Sequence, residues 1–313
     1  MIAFIFPGQG AQKVGMGRSL ADAFPEARAA FDEAESALPG LTKVIFEGPD
    51  ADLILTENAQ PAILTMSVAA QRVLAARGIQ PAFVAGHSLG EYSAHVAAGT
   101  MRFGDAVRIV RRRGQYMQEA VPVGAGSMAA ILGLDADAVA RACEDAAQGE
   151  VVSPANINGA GQVVIAGATA AVQRASERAK ALGAKRVIPL AVSAPFHCAL
   201  LKPAEERLEP ELRMLGVQNP RMPVVANVDA EPKRDAASAI DALVRQVSAP
   251  VRWEQVVRRL ASEGVTNYVE VGPGTVLSGL VKKIHREAVV SNFAEPDDLA
   301  ALYDALHIQP RHV

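Results

Sequence analysis

Only two cysteines occur in the 313 residues, Cys143 and Cys198, and they lie far apart. That spacing argues against a disulfide framework or a paired-thiol zinc site, so both are expected to be buried or incidental thiols. A basic excess is missing as well. The net charge of −3 excludes a general nucleic-acid binder, which carries a strong positive balance. Long apolar runs are absent. The N-terminal stretch Met1–Phe6 has no cationic lead and stops at Pro7, whereas a secretory signal needs an apolar segment of about 7–15 residues and a membrane span about 20. A cytoplasmic location is expected. Neither internal repeats nor low-complexity linkers appear.

What is present reads as a soluble enzyme-sized chain. Half of the residues are hydrophobic and 21% are charged, an ordinary globular balance. The length exceeds the usual single domain of roughly 100–150 residues, which favours one large domain carrying a smaller inserted one. Met1–Phe6 reads as a buried strand ending in the loop Pro7–Gln12. Asn58–Ala76 has helical spacing, with Asn58 placed as N-cap and Pro61 in the first turn. A strand over Pro81–Ala85 and a long helix from Phe103 to about Val121 follow. Alternating strands and helices imply a parallel α/β sheet with its site at the strand carboxyl ends.

The pattern changes after residue 123. Strands are expected at 126–132, 151–155, 162–166 and 185–192, with helices at 135–147 and 168–182. Strand, helix, two strands, helix, strand is the ferredoxin-like order. The division is therefore 1–123 and 193–313 for the α/β unit and 124–192 for a ferredoxin-like insert. Further on, helices are expected at 198–215 and 240–247, a strand at 223–227, and a last strand at 268–271. The tail 307–313 is short and polar, and is expected to be disordered.

The chemistry concentrates in Gly86-His87-Ser88-Leu89-Gly90, between the second strand and a small-residue helix. Strand, Gly-x-Ser-x-Gly, helix is the nucleophile-elbow arrangement, so Ser88 is a candidate acyl carrier. A serine nucleophile needs a base. Of six histidines, His87 should point away from Ser88 and His95 should be buried, while His285, His307 and His312 lie late in the chain. His197 precedes an apolar-spaced helix, a position that discourages protonation and keeps an imidazole usable as a base. The loop Gly8-Gln9-Gly10 can bring backbone N–H groups toward a bound acyl group, forming an oxyanion hole with the N–H of Leu89. Within Arg111-Arg112-Arg113, one inward-facing arginine could grip a substrate carboxylate; periodicity does not say which.

Taken together, Pro7–Gln12, Gly86–Tyr92, Arg113-Gly114, Ala155-Asn156, Pro195-Phe196-His197 and Val271–Gly274 resemble, in order and over nearly the whole chain, the malonyl-coenzyme A:acyl carrier protein transacylase family. The resemblance implies Ser88 as acylated nucleophile, His197 as general base and Arg113 as clamp on the malonyl carboxylate. It implies oxyanion N–H groups from Gln9 and Leu89. A backbone carbonyl at Gln246, rather than a carboxylate, would orient the histidine, matching the lack of a convincing third acid. Leu89 and Phe196 resemble the malonyl-selective variants, the Phe leaving little room for a methyl branch. The implied reaction is malonyl transfer to a phosphopantetheine thiol for fatty-acid or polyketide synthesis, without metal or redox cofactor; a monomer is expected. The implied partner is an acidic acyl carrier protein, with Lys185-Arg186 and Lys282–Arg286 as candidate docking patches. A serine thioesterase or esterase, and a non-catalytic carrier-docking module, are the competing readings.

Overall fold

The structure is a computed structural model and describes residues 1–309. Among the described residues, ten strands form two sheets. The strands are β1 (Ile2–Phe6), β2 (Phe83–Gly86), β3 (Gly126–Leu132), β4 (Val152–Gly159), β5 (Gln162–Ala168), β6 (Arg186–Pro189), β7 (Val224–Val225), β8 (Pro232–Lys233), β9 (Asn267–Val271) and β10 (Val289–Phe293). The six-stranded sheet runs β10-β9-β1-β2-β7-β8, parallel throughout except for the β7–β8 pair. The expected last strand, β9, is thus followed by another. β10 escaped sequence reading because only Phe293 in it is buried, so it lacks the continuous apolar run of a central parallel strand.

β1 shows why the sheet is buried on both faces. Phe4 and Phe6 join the core formed with the helices Pro25–Ala37, Thr56–Ala76 and Phe103–Glu119. Ala3 and Ile5 point the other way, into a core around Trp253, Val257 and Leu280. β1 lies between β2 and β9, so the chain leaves it in one direction first and returns on the other side later. The loops after β1 and β2 therefore meet at the carboxyl edge, where α/β sheets form their clefts.

The four-stranded antiparallel sheet has the order β4-β5-β3-β6, the strand order of the expected ferredoxin-like unit. One face, with Ile131, Val163 and Ile165, packs on the helices Ala136–Ala147 and Thr169–Ala181. The opposite face presents Met128, Ala130 and Val164 toward Cys198 and Phe196, closing one wall of the cleft. A bulge in β4 between Pro154 and Asn156 lets the backbone bond to Val251 of the other unit, Ile157 N–H to Val251 O at 2.8 Å and Val251 N–H to Ala155 O at 2.9 Å. Both cysteines are buried free thiols.

The helix containing Pro61 begins at Thr56, two residues before the expected N-cap; the Asn58 side chain instead donates to the Asp52 carbonyl at 2.8 Å. Pro61 consequently sits inside the helix, where it has no N–H for the Glu57 carbonyl. Arg111, from the helix Phe103–Glu119, donates to that carbonyl at 3.1 Å. At the same spot the two helices pack backbone to backbone. A Cβ added at Gly114 would lie 2.7 Å from Glu57 Cα and 2.8 Å from the Thr56 carbonyl oxygen.

Because those atoms are backbone, Gly114→Ala is expected to cost on the order of 3 kcal/mol in urea unfolding. Gly216→Ala, where nothing lies within 4 Å of the added carbon, is expected to stay within about 0.5 kcal/mol. Equal stability of the two variants would refute the close approach.

Candidate active site

Ser88 lies two residues past the end of β2, in the left-handed region at φ 52°. A non-glycine residue there carries a cost of order 1–3 kcal/mol, and the surrounding structure must hold it. The serine itself takes up the left-handed conformation of the turn. The glycines serve close approach: a Cβ at Gly86 would lie 1.9 Å from the Gly90 carbonyl, and one at Gly90 2.0 Å from the Phe6 carbonyl oxygen. The helix Gly90–Ala97 can then start directly over the sheet edge.

Both backbone polar groups of Ser88 are bonded by side chains from distant segments. Its N–H donates to Asn227 Oδ1 at 2.7 Å, just beyond β7. Its carbonyl accepts from Gln246 Nε2 at 2.9 Å, from the last turn of the helix Ala236–Gln246. Asn227 Nδ2 also donates to the Gly86 carbonyl at 2.7 Å. Asn227 and Gln246 meet at Glu91, whose Oε2 accepts from Asn227 N–H at 3.0 Å and Gln246 Nε2 at 2.8 Å.

The hydroxyl of Ser88 lies 2.7 Å from His197 Nε2. His197 Nδ1–H donates to the Gln246 backbone carbonyl at 3.0 Å, which leaves the Nε2 lone pair facing the serine. His197 is 3% exposed and is pushed down to about 3, by burial first and by the Arg113 charge second. The expected helix-terminus effect is not the cause. His197 has φ 60° and is followed by Cys198 and a short 3₁₀ turn, with the α-helix beginning only at Lys202.

Of the three consecutive arginines, Arg113 turns inward. It is 1% exposed, and Nη2 donates to Ser88 Oγ at 3.2 Å and to Gln246 Oε1 at 2.9 Å, while Nη1 donates to Gln60 Oε1 at 2.8 Å. Its guanidinium lies over the Tyr92 ring, 5.4 Å from the centroid. Arg111 pairs with Glu57 and Arg112 reaches toward Glu211 at the surface. Burial pulls Arg113 below its ordinary value and raises Glu91 to about 7.

Neither Leu89 N–H nor Gln9 N–H has a protein acceptor among the described residues. Both residues flank the serine at the loops after β2 and β1. The Gln9 side chain bonds Thr56 Oγ1 at 3.2 Å. Gln9, Thr56, Ser88, Arg113 and His197 line a cleft of about 790 Å³, together with Phe196, Met128 and Asn156, while the Leu89 side chain is buried beneath it. As expected, His87 turns from the serine and bonds Asn158 Oδ1 at 2.9 Å, and His95 is buried. His285 lies against Tyr268, its Nδ1 3.1 Å from the hydroxyl. His307 ends the helix Asp298–Leu306, whereas His312 lies outside the described residues. Neither Lys185-Arg186 nor Lys282–Arg286 lines this cleft; Lys283 borders a separate groove with Asp135, Glu254 and Arg258. Among the described residues, no acidic or thiol cluster could hold a metal and no helix is long and apolar enough to cross a membrane.

Sequence reading missed Asn227, Gln60 and the role of Glu91 as a shared acceptor. A polar residue ending an apolar strand is the signal that could have found Asn227, since strand carboxyl ends border the site.

The arrangement can generate a serine nucleophile beside a fixed cation, under two free N–H donors. The raised Glu91 also has a thermodynamic signature. A folded carboxyl that holds its proton to about 7, against an ordinary value of 4.5, contributes stability below about pH 4.5 that is lost as pH rises through about 7. In Glu91→Gln that loss is expected to vanish. Its stability relative to wild type should rise by up to about 3 kcal/mol over this window. A pH-independent difference in urea midpoints between the two proteins would show that Glu91 is ionised throughout.

Residues 3–301 match the family described as acyl transferase domain. The chain is 51% identical over 301 residues to the malonyl CoA-acyl carrier protein transacylase of Escherichia coli K12, covering 96% of this chain and 97% of that one. It is 48% identical over 300 residues to the Bacillus subtilis protein of the same name, covering 95% of each. Among solved structures, an acyl carrier protein S-malonyltransferase from Vibrio cholerae superposes with a TM-score of 0.94 at 48% identity, over 96% of this chain and 99% of that one. A malonyl-transacylase solved in complex with its type II PKS acyl-carrier protein gives 0.94 at 46%, over 97% and 99%. The chain belongs to the acyl transferase domain family, among the malonyl CoA-acyl carrier protein transacylases.

Proposed function

We propose that the chain transfers malonyl from malonyl-coenzyme A to the phosphopantetheine thiol of an acyl carrier protein, by way of a malonyl ester on Ser88. The observation that carries this reading is the buried Arg113 guanidinium 3.2 Å from Ser88 Oγ. A carboxylate one methylene beyond the ester carbonyl falls within reach of that cation. Without a carboxylate, the charge stays buried and only partly compensated. The names of the relatives, and the carrier-protein complex formed by one of them, point the same way.

In the first half-reaction His197 Nε2 takes the Ser88 proton as Oγ attacks the thioester carbonyl. The N–H groups of Leu89 and Gln9 receive the developing oxyanion. Collapse breaks the carbon–sulfur bond, and the departing coenzyme A sulfur takes the proton back from His197. In the second half-reaction the carrier thiol gives its proton to His197 and attacks the ester carbonyl, and Ser88 Oγ leaves with that proton. The step sequence draws on no metal or redox cofactor; malonyl-coenzyme A and phosphopantetheine are substrates. Phe196, immediately before the base and lining the cleft, restricts branching next to the reacting carbonyl. Every participating side chain comes from one chain, so a monomer in the cytoplasm suffices. The product supplies extender units for fatty-acid or polyketide synthesis.

Malonyl-coenzyme A alone is expected to add one malonyl group at Ser88, detected by intact mass, and Ser88→Ala none. Holo-carrier protein should discharge the adduct as malonyl-carrier. Hydrolysis that is indifferent to the carrier would make the chain a thioesterase, and an unlabelled wild type would leave only a docking role. Arg113→Ala is expected to lose malonyl transfer by roughly 100-fold or more while retaining or gaining acetyl transfer. A parallel fall in both would remove the clamp role.

A further inference from the structure

We propose that Asn227 is a positioning residue that holds Ser88 in its attacking conformation by clasping both sides of the elbow. The inference rests on the acyl-serine reading above. Three observations carry it. Asn227 is fully buried. Its carboxamide bonds backbone on each side of His87, accepting from Ser88 N–H and donating to the Gly86 carbonyl, both at 2.7 Å. Its own backbone is fixed in turn, N–H by Glu91 Oε2 at 3.0 Å and carbonyl by Arg252 N–H at 3.0 Å.

The chemistry of these contacts fixes the orientation of the amide. One end faces a donor and the other an acceptor, so a flipped amide would oppose like dipoles at both. A residue at φ 52° cannot feed its N–H into a regular ladder, and an unmatched buried N–H would favour relaxation of the turn. Relaxation would swing Oγ away from His197 Nε2 and from the neighbouring donors. Using up the Ser88 N–H also leaves Leu89 N–H as the free donor at the elbow, so Asn227 selects which amide serves the oxyanion. Asn227 touches no reacting atom itself.

Asn227→Ala and Asn227→Asp provide the test. Asn227→Ala is expected to slow Ser88 acylation by malonyl-coenzyme A about 100-fold, since a displacement near 1 Å costs that much. The loss should fall on kcat, with KM within about threefold. Asn227→Asp keeps the acceptor for Ser88 N–H and regains the donor to Gly86 only when protonated, which burial favours. Titratable and charged groups around it are Glu91 on the elbow helix, Arg113, His87 and His197, with Asp229 further along its own segment. Dividing each Asn227→Asp rate by the wild-type rate at the same pH cancels their titration. That ratio is expected to climb at least about tenfold from pH 8 to pH 6, with the Asn227→Ala ratio flat. If Asn227→Ala fails to fold, the Asn227→Asp ratio decides alone. Full acylation by Asn227→Ala, or an Asn227→Asp ratio flat with pH, overturns the proposal. Loss of acylation in the wild type overturns the acyl-serine reading instead.

Discussion

The structure depends on keeping one serine in a backbone conformation that serine does not prefer. Ser88 at φ 52° has its N–H held by Asn227 and its carbonyl by Gln246, and those two residues share the Glu91 carboxylate. Three separate segments, the end of β7, the end of the helix Ala236–Gln246 and the elbow helix, therefore converge on one turn. Gln246 also presents its backbone carbonyl to His197 and its side-chain oxygen to Arg113. Nucleophile, base and cation thus take their positions from a single residue, and moving it would misplace all three.

Burial sets the electrostatics of this cluster. Arg113, Glu91 and His197 are each almost wholly removed from water, where charge is expensive unless paired. The site resolves this by keeping Arg113 charged against neutral side-chain oxygens, holding the Glu91 proton up to about 7 and keeping the His197 ring neutral. A neutral imidazole, oriented by a carbonyl, has no need of the carboxylate found in acid-assisted triads. The cation beside it disfavours imidazolium, so any anion placed against Arg113 makes His197 a better base.

Much of this was legible in the sequence because the cues were local. The Gly-x-Ser-x-Gly run fixes strand, turn and helix within a few residues, and the strand-helix alternation of 126–189 follows ordinary periodicity. Resemblance picked out Arg113 and the Gln246 carbonyl, neither of which periodicity could identify. What stayed hidden depends on contacts between distant segments. Asn227 lies just past a strand of two residues and meets Ser88 139 positions away. β10 is mostly half-exposed, so its pattern carries little apolar signal. An expected helix start beside His197 suggests a dipole effect, but the α-helix begins only at Lys202, and burial and the Arg113 charge set the ring's protonation. The helix start at Thr56 differs from the expected one because Asn58 is a good cap by type, while in the fold its amide is drawn to Asp52.

Pro61 and Gly114 illustrate how local imperfections combine. Each residue weakens its own helix, one by removing a hydrogen bond and the other by lacking a side chain. Their effects meet at Glu57 in a keyed joint: its orphaned carbonyl accepts Arg111 where Gly114 lets the backbones touch. Such a joint fixes axial register and rotation together, as a flat greasy contact between two uniform helices could not. Arg113 is next to that key and Gln60 next to its counterpart, so the phase of two long helices is transmitted directly to the guanidinium. Two helix-weakening residues thereby calibrate where a positive charge sits, at a spot where small errors of placement would matter most.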